Sequence, residues 1–144
     1  KVGPIGALAI ISNFPYLEKL NLSECDLGDE GVKNISNNCR KNIRSLDLSK
    51  NNVSVEGFKL LLRLESLKEL RLFDNFIGSG EAELFQVEEE NSRNSSLRSV
   101  DLGANRMNSE WVKKILELIE NFDSLEILEL GGNDIDETGE KLIQ

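Results

Sequence analysis

The sequence predicts an α/β solenoid in which short parallel strands line a concave face and helices cover the convex one. Three observations carry that expectation. One template, apolar-x-x-apolar-x-apolar-x-x-Asn-x-apolar, recurs five times in the 144 residues, with Cys in place of Asn in the first copy. Within each copy apolar and polar residues alternate, the period of a strand with one buried face. Beyond most copies the apolar spacing changes to three, four and seven residues, the period of a helix with one buried stripe.

The strands come first. The copies run Leu17, Leu20, Leu22, Cys25, Leu27; Ile43, Leu46, Leu48, Asn51, Val53; Leu67, Leu70, Leu72, Asn75, Ile77; Leu97, Val100, Leu102, Asn105, Met107; and Leu125, Leu128, Leu130, Asn133, Ile135. Their starts lie 26, 24, 30 and 28 residues apart. Strands are expected around Leu20 to Leu22, Leu46 to Leu48, Leu70 to Leu72, Val100 to Leu102 and Leu128 to Leu130. An asparagine at each bend can turn its amide inward and bond backbone groups there. That gives Asn51, Asn75, Asn105 and Asn133 structural roles, with Cys25 standing in as a small side chain of weak donor and acceptor capacity.

The helices follow. Val32, Ile35 and Cys39 predict one over Glu30 to Cys39; Phe58, Leu61 and Leu62 predict one over Val55 to Leu64; Val112, Ile115, Leu116 and Ile119 predict one over Glu110 to Asn121. The third unit departs from the rest. Its helix is expected from about Ser79 to Glu90, running into a polar bulge over Glu88 to Ser96 with little to bury. Trp111 is expected to cover that helix at Ala82. Placing Val2 in register with Leu27 and Val53 sets Gly6 beside Gly31 and Gly57, which makes residues 1–16 a partial repeat. Thr138 to Gln144 is expected to begin a further helix.

A single strand and helix cannot bury an apolar face, so neighbouring units must stack. A helix is about 10 to 12 Å wide and strands stand about 4.8 Å apart, so the helical side spreads and the sheet curves inward. The organisation expected is one domain over residues 1–144, with repeats starting near 17, 43, 67, 97 and 125. With no polar capping unit at either end, a piece of a longer array is expected.

The repeat, with Gly31 or Gly57 opening the helix, resembles the ribonuclease-inhibitor-like class of leucine-rich repeat. The resemblance covers nearly the whole chain. It implies a parallel-stranded horseshoe and, in most members, a protein-binding surface. Ribonuclease inhibitors, the GTPase-activating protein of the Ran system, cytosolic innate sensors and actin-capping proteins share it, and the fold does not choose among them.

Composition narrows the function. Lys plus Arg number 17 against 26 Asp plus Glu, a formal charge of −9, and there is no histidine. The excess of acid falls after the first third of the chain. An acidic surface disfavours nucleic acid and anionic membrane, and no stretch is long and apolar enough to span a bilayer. Without histidine, Ser-His-Asp and Cys-His nucleophiles and imidazole-bearing zinc sets are excluded. Cys25 and Cys39 form no CxxC, and a reducing, cytoplasmic location is the expectation. Asn-x-Ser sequons at Asn21, Asn34, Asn52 and Asn94 are weak signals in a chain with many asparagines. No phosphate-cradling glycine motif occurs, and no cofactor is expected.

The outward residues of the strands form columns. The central one is Asn21, Asp47, Arg71, Asp101 and Glu129; before it stand Lys19, Ser45, Glu69, Ser99 and Ile127; after it stand Ser23, Ser49, Phe73, Gly103 and Gly131. An aromatic beside an arginine is the composition of a protein-protein hot spot, so Phe73 and Arg71 are candidate contacts. Asp47, Glu69, Asp74, Asp101 and Glu129 join them as electrostatic guides for a protein partner, which on this charge would be basic. Asp101 and Glu129 on adjacent strands also have the separation of a glycosidase pair. On an open face, with no enclosing loops, solvent is expected to keep both from acting as an acid, and a non-enzymatic binding module is expected. The alternatives are a structural section of a larger scaffold or sensor and a GTPase-activating protein of the Ran type.

Overall fold

The computed structural model describes residues 1–39, 42–87 and 96–137. Helix α1 (Gly3–Asn13) leads into β1 (Lys19–Asn21), α2 (Gly28–Asn38), β2 (Ser45–Asp47), α3 (Val55–Leu61) and β3 (Glu69–Arg71). A 3-10 turn (Ala82–Leu84), β4 (Ser99–Asp101), α4 (Ser109–Ile119) and β5 (Ile127–Glu129) complete the order. The strands form one parallel sheet in the order β1-β2-β3-β4-β5. This is a horseshoe-type leucine-rich-repeat solenoid.

Register follows the template. Leu20, Leu46, Leu70, Val100 and Leu128 stand side by side across the sheet. Leu46, Leu70 and Val100 are buried, while Leu20 and Leu128 on the two outer strands are half-buried. The backbone ladder continues beyond the strands into the bends: Leu48 N–H bonds Arg71 O at 2.9 Å and Lys50 N–H bonds Phe73 O at 2.9 Å. The equivalent amides Leu72 and Asp74 bond Asp101 O and Gly103 O, each at 2.9 Å. The residue before Cys25, Asn51, Asn75 and Asn105 is left-handed, with Glu24, Lys50, Asp74 and Ala104 at φ of 52 to 57°.

Asparagine staples the coils together. Asn75 Oδ1 accepts the amides of Asn51 and Val53 from the preceding coil, both at 2.9 Å. Its Nδ2 donates to Leu48 O at 3.1 Å and to Leu72 O at 3.0 Å. Asn51 does the same toward Cys25, Leu27 and Leu22. Asn105 bonds Ile77 N–H and Leu72 O. Asn133 accepts from Asn105 N–H at 2.8 Å and Met107 N–H at 3.0 Å. The bonds therefore reach the neighbouring coil as well as the asparagine's own bend. Asn51, Asn75 and Asn105 are fully buried, and Asn133 is half-buried. Cys25 is half-buried too, and its thiol reaches only Ser23 O, at 3.3 Å.

The first helix confirms the register assigned to Val2. A β-carbon at Gly6 would stand 2.6 Å from Val2, as one at Gly31 would from Leu27, and one at Gly57 would lie 2.7 Å from Val53. Each helix presses against the anchor four residues before its glycine. Helices α2 and α4 begin one or two residues earlier than the apolar spacing suggests. Helix α3 stops at Leu61 rather than Leu64, because the amides of Arg63 and Leu64 turn back to carbonyls three residues before them.

The third coil corrects an expectation. Of the helix foreseen over Ser79 to Glu90, the described part holds only the 3-10 turn Ala82–Leu84, and residues 88–90 lie outside the described range. Ser54 caps α3 by accepting Glu56 N–H, and Asn108 caps α4 by accepting Trp111 N–H. The third coil carries Gly78 at that place and offers no side-chain acceptor, but the first carries Gly28 there and α2 forms uncapped, so the cap does not decide the difference. A β-carbon at Gly78 would stand 2.6 Å from the Met107 backbone. Trp111 fills the space a helix would take: its indole N–H donates to Gly80 O at 3.0 Å and its ring lies 5.7 Å from Phe85. Trp111 thus covers the third coil as expected, over a turn in place of a helix. Most of the bulge foreseen over Glu88 to Ser96, and all of Thr138 to Gln144, lie outside the described residues.

Candidate functional site

The sheet register sets the candidate side chains in rows. Asn21, Asp47, Arg71, Asp101 and Glu129 form one, and Lys19, Ser45, Glu69, Ser99 and Ile127 another. Phe73 lies just past β3 and keeps 42% of its surface exposed. It is the large apolar side chain at the middle of the sheet, while Ile127 is exposed on the outer strand β5. Its ring leans toward β4 across Gly103: a β-carbon there would meet Phe73 Cδ2 at 2.9 Å and Asp101 Oδ1 at 3.1 Å.

The acidic candidates differ in how they are held. Asp47 Oδ1 accepts Ser49 N–H at 3.0 Å, and Asp101 Oδ1 accepts Gly103 N–H at 2.9 Å. Asn21 makes the same bond to Ser23 N–H. One oxygen of each aspartate therefore fixes its own bend. Glu69 accepts a long bond of 3.4 Å from the Ser45 hydroxyl. Glu129 and Asp74 are exposed. Arg71 stands between Asp47 and Asp101, and among the described residues it forms no ion pair.

An ion pair joins the bends that follow β1 and β2. Lys50 Nζ lies 3.1 Å from Glu24. That hydrogen bond, the charge of Glu24 and the charge of Asp74 hold the Lys50 ammonium above the ordinary lysine pKa.

Two surfaces escape the three-column reading. Arg44, Lys68 and Arg98 form a basic rim where the strands begin, flanked by Glu18 and Glu126. Their amides are laddered: Lys68 N–H bonds Arg44 O, and Arg98 N–H bonds Lys68 O, each at 2.8 Å. The residue after the first apolar anchor of each copy, read as a fourth column, carries that signal. The second is a shallow depression of about 510 Å³ lined by Asn13, Phe14, Pro15, Tyr16, Leu17 and Glu18. It is formed by one helix-to-strand corner and brings together none of the candidate residues.

Asp101 and Glu129 are neighbours in register on an open sheet, and one oxygen of Asp101 is already committed. Among the described residues, no three Cys, Asp or Glu side chains gather where they could hold a metal ion.

Residues 15–36 and 41–62 match the family model described as Leucine Rich repeat. These stretches contain β1, β2, α3 and most of α2. The region spanning them is leucine-rich-repeat-like, and the alternation of helix and parallel strand through the remaining coils is consistent with that fold. Nothing in the match singles out the ribonuclease-inhibitor-like class. No curated protein matches the chain. Repeat solenoids of this kind are generally associated with protein-protein interaction, through the extended concave surface that stacked coils create.

Proposed function

We propose that the chain is a non-catalytic protein-protein interaction module that holds its partner on the concave sheet. The observation that carries this reading is Phe73, a half-exposed aromatic at the centre of a polar sheet, supported from below by rigid backbone and flanked by Arg71. A rigid aromatic gives apolar contact area at little entropic cost, and a guanidinium gives a fixed fork of donors. Asp47, Glu69, Asp74, Asp101 and Glu129 surround the pair and would steer a basic partner. Residues 1–144 act in this reading as one repeat domain of the ribonuclease-inhibitor-like type. The two free cysteines support a reducing, cytoplasmic setting.

The test is a paired capture from extract, with the wild-type chain and with the Arg71→Ala, Phe73→Ala double variant as baits, read by mass spectrometry. Both substituted side chains point away from the buried anchors Leu70 and Leu72, so the variant should keep nearly the wild-type denaturant midpoint. A partner retained by the first and lost by the second supports the reading. Identical partners on both baits would remove binding from this face.

A further inference from the structure

Three phenylalanines of the third coil differ in what covers them. Arg106 lies 4.1 Å over the Phe76 ring, and Lys59 lies 5.4 Å from the centre of Phe85. Phe73 receives no cation from the described residues, although Arg71 stands two residues away on the same face. Its surroundings are electron-rich. Asp101 shares the Gly103 notch with the ring edge, and Gly131 O stands 3.1 Å from the same point. Among the described residues no donor meets Asp101 Oδ2. Glu129 is opposite Asp101 in register, and Asp74 follows Phe73 directly. Gly131 O already accepts Ala104 N–H at 2.8 Å, and Asp74 acts on the Lys50 ammonium, so the ring face and the carboxylates of Asp101 and Glu129 carry most of the negative potential here.

We propose that Phe73, together with Asp101, Glu129 and Asp74, receives an arginine side chain from a basic segment of the protein partner, an inference that rests on the concave-face reading above. A guanidinium is planar and weakly hydrated, so it can stack on the open ring face while its N–H groups meet a carboxylate. Lysine, a strongly hydrated point charge, can use the carboxylates and gains less from the ring. Gly103 is the positioning residue, because any side chain there would push the ring away from Asp101.

The experiment is an amide-resolved NMR titration of the 144-residue chain with a short glycine-serine peptide carrying arginines, run beside the same peptide with citrulline in their place. Citrulline keeps the shape and loses the charge. Expected are shifts centred on Phe73, Asp101 and Gly103, with binding at least about tenfold weaker for the citrulline peptide, a difference of roughly 1.4 kcal/mol. Phe73→Leu, which keeps apolar bulk and lacks the ring, should weaken the arginine peptide and leave the fold intact. Gly103→Ala should weaken it too, with its denaturant midpoint measured alongside. Equal binding of the two peptides at the same residues would overturn the arginine assignment and leave the concave-face reading standing. Shifts confined to the helices would overturn both. Unchanged affinity in Phe73→Leu would reduce the attraction to diffuse charge and overturn the assignment.

Discussion

The second and third coils have the same inside and different outsides. In both, a three-residue strand, a left-handed bend residue and a buried asparagine occupy equivalent places, and the laddered amides have equivalent partners at the same lengths. Outside, the second coil packs a capped helix with Phe58 and Leu61 buried. The third has a 3-10 turn, with a tryptophan borrowed from α4. The sheet side of a coil is set by its own template and the asparagine of the next coil. The outer side needs only enough apolar volume to cover the core, from whichever segment can supply it.

Substitutions that remove this cover should have the largest effect. Phe58→Ala in the second coil and Trp111→Ala over the third should each lower unfolding free energy by about 4 kcal/mol in chemical denaturation. A much smaller loss for Trp111→Ala would mean that the third coil is covered by something else. Asn75→Leu comes next, at about 3 kcal/mol, since it strands two amides and two carbonyls away from water. Asn133→Leu, in a half-buried place, should cost about 1 kcal/mol. Equal losses would deny the difference between inner and outer coils. Leu84 is 76% exposed on the 3-10 turn, so Leu84→Ser should stay within about 0.5 kcal/mol.

Lys50 should give the smallest effect and a definite sign. Its folded-state pKa is raised, chiefly by the hydrogen bond to Glu24 and then by Glu24 and Asp74 as charges. Any stabilisation from it is complete below the ordinary lysine value and is lost as pH rises through the higher folded-state value. An NMR titration should place the Lys50 ammonium above an ordinary lysine, and Glu24→Gln should remove most of the difference.

The sheet was legible in the sequence because its determinants are local and repeated. Leu, Leu and Asn at fixed offsets specify a strand, a buried face and a bend without reference to distant residues, and every row of the register follows from them. The third coil's outside was not read correctly: a helix was expected from about Ser79 to Glu90, and the described part holds only a 3-10 turn. Gly78 stands where Ser54 and Asn108 cap their helices, but Gly28 stands there too and α2 forms without a side-chain cap, so the missing cap alone did not mark the difference. The candidate side chains were placeable by column, since strand side chains alternate strictly. The lean of Phe73 over Gly103 and the commitment of one Asp101 oxygen to its own bend depend on contacts between strands. No spacing rule contains those contacts, and they decide what the face presents.

Amide hydrogen exchange, read residue by residue, tests most directly whether the inner side of a coil stands independently of its outside. Leu72 and Asp74 should exchange as slowly as Leu48 and Lys50, while Leu84 and Phe85 on the 3-10 turn exchange far faster than Phe58 and Leu62. Leu72 and Asp74 exchanging together with Leu84 would contradict the account, because the strand that presents Phe73 would then open whenever its outer cover does.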